Sequence, residues 1–471
     1  MASEFSLGPN TRGSCMSWTP TLTDREGPVY LRIVAALAAD IESGRLVRGQ
    51  QLPTHRELAK MLGIDLTTVT RAYTEARHRG LTQTRAGQGT FVVECLSFPR
   101  RSSYQAPDVD LSMILPPQPL NSDLEGRLTR GLAAIQREVG ISALLTYRDP
   151  RTCQAECNIA AEWLRSRIAD ARGDRLVICP GTQNAIFNLL ETLTSPGDVV
   201  LTEALTYPGI RAAAGYAGVR LVGVPMDEDG VVPAALEEAC RRYAPKAVYL
   251  VPTIHNPTTA TMPLSRRQEV AEVLRRNDVL LLEDDAYGAL EPEAVPLASL
   301  IPERTYFMAS LSKCIAPGFR VSFVLTPDHA SKELLAAALR ASVQMPMPLT
   351  VGLVTRWLHD GSATAIIDAV RAEAAARQKL AASALARHPY YAHPNGHHIW
   401  IPLPGDWTST EFASHVQGQG LAVVTSEPFA VDRVPPHAVR ISLGAATSRS
   451  DLIRALNLVA AALNHQLTKA V

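Results

Sequence analysis

The chain has 471 residues, 20% charged and 46% hydrophobic, with 46 Lys/Arg against 46 Asp/Glu and a formal net charge of zero. That length exceeds one ordinary domain of roughly 150 residues, the apolar content suffices for large cores, and the charge balance excludes a polyelectrolyte acting through bulk charge. No apolar run approaches the roughly 18 residues of a membrane span, Glu4, Pro9, Arg12 and Gly13 interrupt any signal-peptide core, and seven scattered cysteines make no disulfide framework, so a soluble, cytoplasmic, multidomain protein is expected.

Residues 1–20 read as an extension, with Met16 a candidate start. From Thr21 to Arg101 there are twelve Lys/Arg and eight Asp/Glu, a net of +4 that leaves −4 for the remainder. Tyr30, Ile33, Val34, Leu37 and Ile41 recur at helical spacing, which predicts an amphipathic helix over 28–43 ended by Gly44. Thr54 and Glu57 have the spacing of a capping box, opening a helix that stops at Gly63. Asp65 is placed to cap a third helix running to Arg79 and closed by Gly80. Two short helices around a glycine turn are a helix-turn-helix. Residues 81–85 and 90–93 alternate like strands around the turn Ala86-Gly87-Gln88-Gly89, which predicts a β-wing.

Three blocks carry a family resemblance: residues 52–59 (LPTHRELA), 67–73 (TTVTRAY) and 87–92 (GQGTFV). In order and spacing they resemble the winged-helix domain of the GntR superfamily. The resemblance implies a DNA-binding domain over 21–95, with the third helix in the major groove and the wing near the minor groove. It places Arg56, Thr67, Thr68 and Arg71 at the DNA, with Gly89 on the wing. The residue types suit this role. Arginine forks pair with guanine edges or phosphates, and hydroxyls at a helix N-terminus suit phosphate. One such domain reads little sequence, so a homodimer on an operator of two half-sites is expected. A single arginine here would read as an ordinary solvated charge; the series of capping box, turn and wing carries the assignment.

Pro99, Pro107, Pro116, Pro117 and Pro119, with Arg100, Arg101, Ser102 and Ser103, predict an extended linker over 96–122. Beyond it, apolar runs at 176–179, 199–202, 219–224, 247–251, 279–282, 306–308 and 321–325 alternate with helical patterns. That alternation predicts an α/β domain over 123–345 around a largely parallel sheet. Runs at 399–403, 421–424 and 439–443, with a terminal helix over 451–463, predict a smaller α+β domain over 346–471.

The large domain carries ordered motifs. The strand 176–179 leads through Pro180-Gly181 into Thr182-Gln183, a ready anion site at a helix N-terminus. His255-Asn256-Pro257-Thr258 follows a second strand. Asp284, Asp285 and Tyr287 follow a third, at the strand end where α/β sheets bind ligands. Ser310-Leu311-Ser312-Lys313 precedes Pro317-Gly318-Phe319-Arg320. A lysine among hydroxyls with an arginine close behind suits an amine carrying an aldehyde cofactor beside its phosphate.

This order resembles fold type I pyridoxal-phosphate enzymes of the aspartate aminotransferase family, over roughly 110–465. The resemblance implies pyridoxal 5'-phosphate as cofactor, joined to Lys313 as a Schiff base. It implies Asp284 at the pyridine nitrogen, where a protonated ring is an electron sink. It implies Asn256 and Tyr287 at the ring hydroxyl, Tyr207 stacked on the ring, and Thr182, Gln183, Ser310, Ser312 and Arg320 at the phosphate. Tyr147 would reach the neighbouring subunit's phosphate, and Arg440 would clamp an effector carboxylate in bidentate fashion. Two positions depart from the family pattern: Thr259 stands where a glycine is usual, and residues 147–152 lack the usual glycine. Cys153 and Cys157, four apart, and the pair His397-His398 lack further ligands at metal spacing, so no metal is expected. Cys314 reads as a packing residue.

A GntR-type winged helix joined to an aminotransferase-like domain resembles the MocR/GabR-type transcriptional regulators. The expectation is a regulator that senses a small amine or amino acid, or the cofactor itself, and passes that occupancy to the DNA. The competing expectation is a working aminotransferase with a vestigial DNA-binding attachment.

Overall fold

The computed structural model describes residues 18–21, 28–42, 45–46, 49–78, 81–85, 89–92, 108–149, 153–405, 407–431 and 434–464. Two compact units divide the chain, residues 1–105 and 106–471.

In the first unit, helices α1 (Val29–Glu42), α2 (His55–Leu62) and α3 (Leu66–His78) precede strands β1 (Thr82–Arg85) and β2 (Gly89–Val92). The periodic positions Ile33, Val34 and Leu37 are buried together with Leu58, Val69, Ala72, Tyr73, Ala76 and Val92. The capping box forms: Glu57 N–H donates to Thr54 Oγ1, and Thr54 N–H donates back to Glu57 Oε2 at 2.8 Å. Gly63 ends α2 at φ +64°, a left-handed conformation that glycine adopts at little cost. Asp65 Oδ1 accepts Thr67 N–H at 2.7 Å and so starts α3. The wing strands pair antiparallel, with Thr82 opposite Val92 and Arg85 opposite Gly89. Gly44, Arg79, Gly80, Val93 and the wing turn 86–88 lie outside the described residues.

The second unit opens with β3 (Val109–Asp110). Its main sheet contains β4 (Leu176–Cys179), β5 (Val199–Glu203) and β6 (Arg220–Val224). β7 (Met226–Asp227) and β8 (Gly230–Val231) make a separate hairpin. The main sheet continues with β9 (Ala247–Leu250), β10 (Leu280–Asp285), β11 (Thr305–Ser310) and β12 (Ser322–Leu325), in the order β4-β12-β11-β10-β9-β5-β6. Within this sheet β12 alone runs antiparallel to its neighbours. The strands are buried along most of their length because both faces are covered; every residue of β9 is buried. The smaller sheet, β13 (Tyr391–Ala392), β14 (His398–Pro402), β16 (Val424–Thr425) and β17 (Ala438–Ser442), has the order β13-β14-β17-β16. It packs its Ile399, Ile401, Val439 and Ile441 against the helices Ser409–Gln417 and Arg449–Asn464.

Three features differ from expectation. Residues 108–122 are not free linker: β3 pairs in parallel with β15 (Leu421–Ala422), and Leu111 is fully buried in the small-domain core. Their prolines punctuate a packed segment rather than a spacer. The run 421–424, expected as one strand, is two, because β15 takes β3 as partner while β16 takes β17. Residues past the boundary expected at 345/346 still serve the large core: Ile366, Ile367 and Val370 of the helix Ser362–Ala384 join it, while Ala381 joins the small one.

Candidate functional site

The carboxyl ends of the parallel strands open into a cavity of about 520 Å3. At one end lies an anion cradle. Gly181, at φ +86°, turns the chain from β4 into the helix Thr182–Leu193, whose N-terminus carries no side-chain cap. A Cβ at Gly181 would stand 2.5 Å from Arg320 Nη2, so the guanidinium lies directly against this backbone. Ser310 ends β11, and its Oγ accepts Ser312 N–H at 3.1 Å. Backbone N–H groups, three hydroxyls and a guanidinium thus converge where a phosphate would be held.

Deeper in, Asp284 is the penultimate residue of β10 and is buried. Burial raises its carboxyl to about 6, against the opposing pull of the Tyr249 hydrogen bond and the Lys313 charge. Tyr249 Oη donates to Asp284 Oδ2 at 2.7 Å. Lys313 Nζ donates to the carbonyl of Ile114 at 2.8 Å. Burial, with Arg440 and Arg320 adding like charge, lowers the Lys313 amine to about 8; Asp284 pulls the other way. Burial also raises the phenols of Tyr207 and Tyr287. Arg440, on β17, donates through Nη1 to Asn256 Oδ1 at 2.8 Å and through Nη2 to the carbonyl of Ser112, with its guanidinium 5.0 Å over the Phe429 ring.

Among the eighteen buried polar side-chain atoms without a protein partner in the described residues, five group together: Thr182 Oγ1, Gln183 Oε1, Asp284 Oδ1, Tyr287 Oη and Arg440 Nε. All belong to residues lining this one cavity. Buried polar atoms are normally paired, so the set describes the complement of a ligand. It would bear a phosphate at one end, a ring with a basic nitrogen and a hydroxyl in the middle, and an acidic group near Arg440. The residues fit a phosphorylated pyridoxal.

The structure brings together every expected cofactor residue but one: Thr182, Gln183, Tyr207, Asn256, Asp284, Tyr287, Ser310, Ser312, Lys313 and Arg320 line the cavity, and Arg440 joins them. Tyr147 does not line it in the same chain and is 85% exposed. Sequence reasoning missed Met113, Ile114 and Leu115, which form part of the wall. Their signal was an apolar run, 111–115, inside the proline-punctuated stretch. Tyr249 was also missed. A phenol in the middle of a buried strand needs a polar partner, and that requirement pointed toward the carboxylate on the next strand.

The pair His397-His398 is buried, each ring on a backbone carbonyl. His397 Nε2 meets the carbonyl of Lys313 at 2.6 Å, and His398 Nε2 meets that of His255 at 3.1 Å. Burial lowers both imidazoles, His397 to about 4, so they are neutral at physiological pH. Cys314 is buried behind the lysine with Sγ on the carbonyl of Ser310. Thr259 sits at φ +67°, a left-handed conformation costly for a β-branched residue, which accounts for glycine being usual there.

In the first unit, Arg56, Thr67 and Arg71 are exposed and Thr68 is half-buried, while their neighbours Leu58, Val69, Ala72 and Tyr73 form the core. Arg71 places its guanidinium 4.7 Å over the Tyr30 ring. Gly89 opens β2 at φ +115°, where a Cβ would meet Gln51 Nε2 at 2.9 Å.

Residues 120–459 match the family Aminotransferase class I and II, and residues 29–92 match the Bacterial regulatory proteins, gntR family. The chain is 28% identical over 453 residues to the uncharacterized HTH-type transcriptional regulator YdeF of Bacillus subtilis (strain 168), covering 94% of this chain and 96% of the relative. It is 29% identical over 443 residues to the vitamin B6 salvage pathway transcriptional repressor PtsJ of Salmonella typhimurium, covering 92% and 99%. Among solved structures it resembles LysN, the alpha-aminoadipate aminotransferase of Thermus thermophilus, in complex with N-(5'-phosphopyridoxyl)-L-leucine. That likeness has a TM-score of 0.69 at 25% identity and covers 75% of this chain and 92% of the other. No helix among the described residues is long and apolar enough to cross a membrane. A pyridoxal 5'-phosphate cavity in one unit and a winged helix in the other thus occur in a single chain, which belongs to the aminotransferase class I and II family and, through its gntR-family DNA-binding domain, to the MocR-type transcriptional regulators.

Proposed function

We propose that the aminotransferase-like unit is a sensor of a small amine or amino acid and that the winged helix reports its occupancy to DNA. Lys313 would carry the cofactor. Asp284 would face the pyridine nitrogen through its unpartnered Oδ1, Tyr287 and Asn256 the ring hydroxyl, and Tyr207 the ring face. Thr182, Gln183, Ser310, Ser312 and Arg320 would hold the phosphate, joined by Tyr147 from a second copy in a homodimer. When bound, the cofactor supplies an aldehyde that bonds reversibly to amines and a ring that withdraws electrons. Arg440 would hold the effector's carboxylate.

One observation carries this reading: Arg440, with its unpartnered Nε, shares a single cavity with the Lys313 amine. With the cofactor's aldehyde carried on Lys313, that pairing would favour a ligand with both an amine and a carboxylate. In the first unit, Arg56, Thr67, Thr68 and Arg71 would meet the operator, with Gly89 on the wing, and a dimer would span two half-sites. A protein whose target is a promoter would work in the cytoplasm. Coupling requires the effector to bind two arrangements of the protein unequally.

The test is operator binding by the cofactor-loaded protein across a panel of amines and amino acids. Wild type should change its affinity with at least one of them, while Lys313→Ala should lose both the visible absorption of the bound cofactor and the response. An equal response from Lys313→Ala overturns the role of the lysine. A second reading is supported by the likeness to a vitamin B6 salvage pathway repressor: the cofactor is itself the effector. Titrating cofactor-free protein with pyridoxal 5'-phosphate alone, scored by operator binding, separates the two.

A further inference from the structure

The stretch that enters the second unit from the DNA-binding side is also part of the cavity wall. It is first fastened to the small domain. Val109 N–H donates to the carbonyl of Gly420 and Leu111 N–H to that of Ala422, both at 3.0 Å, and Ser442 N–H donates to the carbonyl of Leu111 at 2.9 Å. The Leu111 side chain is fully buried. One residue further, the carbonyl of Ser112 accepts Arg440 Nη2, and two beyond that, the carbonyl of Ile114 accepts Lys313 Nζ. The carbonyl of Leu115 then passes so close to Gly444 that a Cβ there would lie 1.9 Å away. Both cations assigned above to ligand binding are therefore partners of the same backbone segment.

A carboxylate held side-on by a guanidinium engages Nε and Nη2 together. At Arg440 the first has no protein partner and the second is the atom on Ser112. The bond to the Ser112 carbonyl is charged on the donor side only, whereas a carboxylate adds an opposite full charge and a second, parallel hydrogen bond, so a carboxylate would outcompete the carbonyl. β3 is two residues long, and a strand that short frays when a neighbouring tie is lost.

We propose that residues 109–115 anchor the chain leading to the DNA-binding unit, and that an effector carboxylate releases this anchor by drawing Arg440 from the carbonyl of Ser112. This rests on the reading of the cavity as an effector site.

The probe is N-(5'-phosphopyridoxyl)-L-leucine, which joins the cofactor skeleton to an amino-acid carboxylate in one stable molecule; pyridoxal 5'-phosphate, without the carboxylate, is the control. In the full-length protein, the amides of Val109 and Leu111 should exchange hydrogen at least about fivefold faster with the probe than with the control. Equal or slower exchange overturns the proposal. The second arm is Val109→Pro, which deletes the donor to Gly420 outside the cavity, tested on an operator selected from random DNA by the wild-type protein. The variant should keep its cofactor absorption, and without the probe it should show the operator affinity that wild type reaches only with it. A wild-type-sized response to the probe overturns the proposal, and should the variant not fold, the exchange measurement decides. A wild type whose operator affinity ignores both probe and control would sink the sensing reading instead, while exchange would still judge the anchor.

Discussion

Tyr249 and Asp284 form a buried cross-strand pair: the phenol of β9 donates at 2.7 Å to one oxygen of the carboxylate next to the end of β10, leaving the other oxygen unpartnered within the cavity lining. The hydrogen bond opposes the burial that raises Asp284. Tyr249→Phe keeps the ring and removes the donor. A hydrogen bond to a charged group contributes about 1.5–3 kcal/mol, so cofactor affinity should fall by about tenfold or more. Equilibrium titration of cofactor-free protein with pyridoxal 5'-phosphate checks this; an unchanged affinity would mean that Asp284 needs no help to stay ionised.

Lys313 sets a pH dependence of cofactor loading. Its amine is lowered to about 8, mainly by burial. Only the neutral amine attacks an aldehyde, so loading should speed up as pH rises toward about 8 and level off above it. An ordinary lysine near 10.4 would keep gaining about tenfold per pH unit well past 9. Stopped-flow loading of cofactor-free protein between pH 6 and 10 distinguishes the two, and a rate still climbing steeply above pH 9 contradicts the lowered value.

Gly181 admits no side chain. A methyl there would stand 2.5 Å from Arg320 Nη2, on a backbone at φ +86°. Gly181→Ala must displace the guanidinium or the turn, and the left-handed backbone alone costs about 1–2 kcal/mol for an L-residue. Cofactor affinity should drop by at least about tenfold, and raising the concentration of inorganic phosphate should compete less well than in wild type. Binding at wild-type strength would mean that Arg320 takes no part in the cradle.

On the DNA side, Arg56→Ala and Arg71→Ala should each weaken operator binding across sequences and reduce the slope of log affinity against log salt by about one. Arg71→Ala also removes the contact with Tyr30, so thermal unfolding should accompany it as a folding control. An unchanged slope for both would place α2 and α3 away from phosphates.

Much of this molecule is legible in its residue order because the relevant physics is local. The capping box of Thr54 and Glu57, the left-handed Gly63 and the apolar period of α1 each depend on residues within a few positions of one another. The strand-end motifs around Gly181, Asn256, Asp284 and Lys313 are local too, and a parallel sheet must gather its carboxyl ends along one edge. Convergence of those residues in one cavity therefore followed from their order alone.

What only the tertiary structure decided concerns segments that serve a distant partner. Residues 108–122 have the composition of a linker, yet Leu111 is fully buried and Ile114 holds the lysine, because β15, more than 300 positions away, offers β3 an edge. The run 421–424 splits for the same reason. His397 and His398 carry no local signature of their task, since their partners are backbone carbonyls, which every residue possesses and no sequence pattern marks. Hydrogen bonds to the main chain across long separations depend on shape rather than residue type, so folding alone could reveal that residues 109–115, the lysine and Arg440 meet.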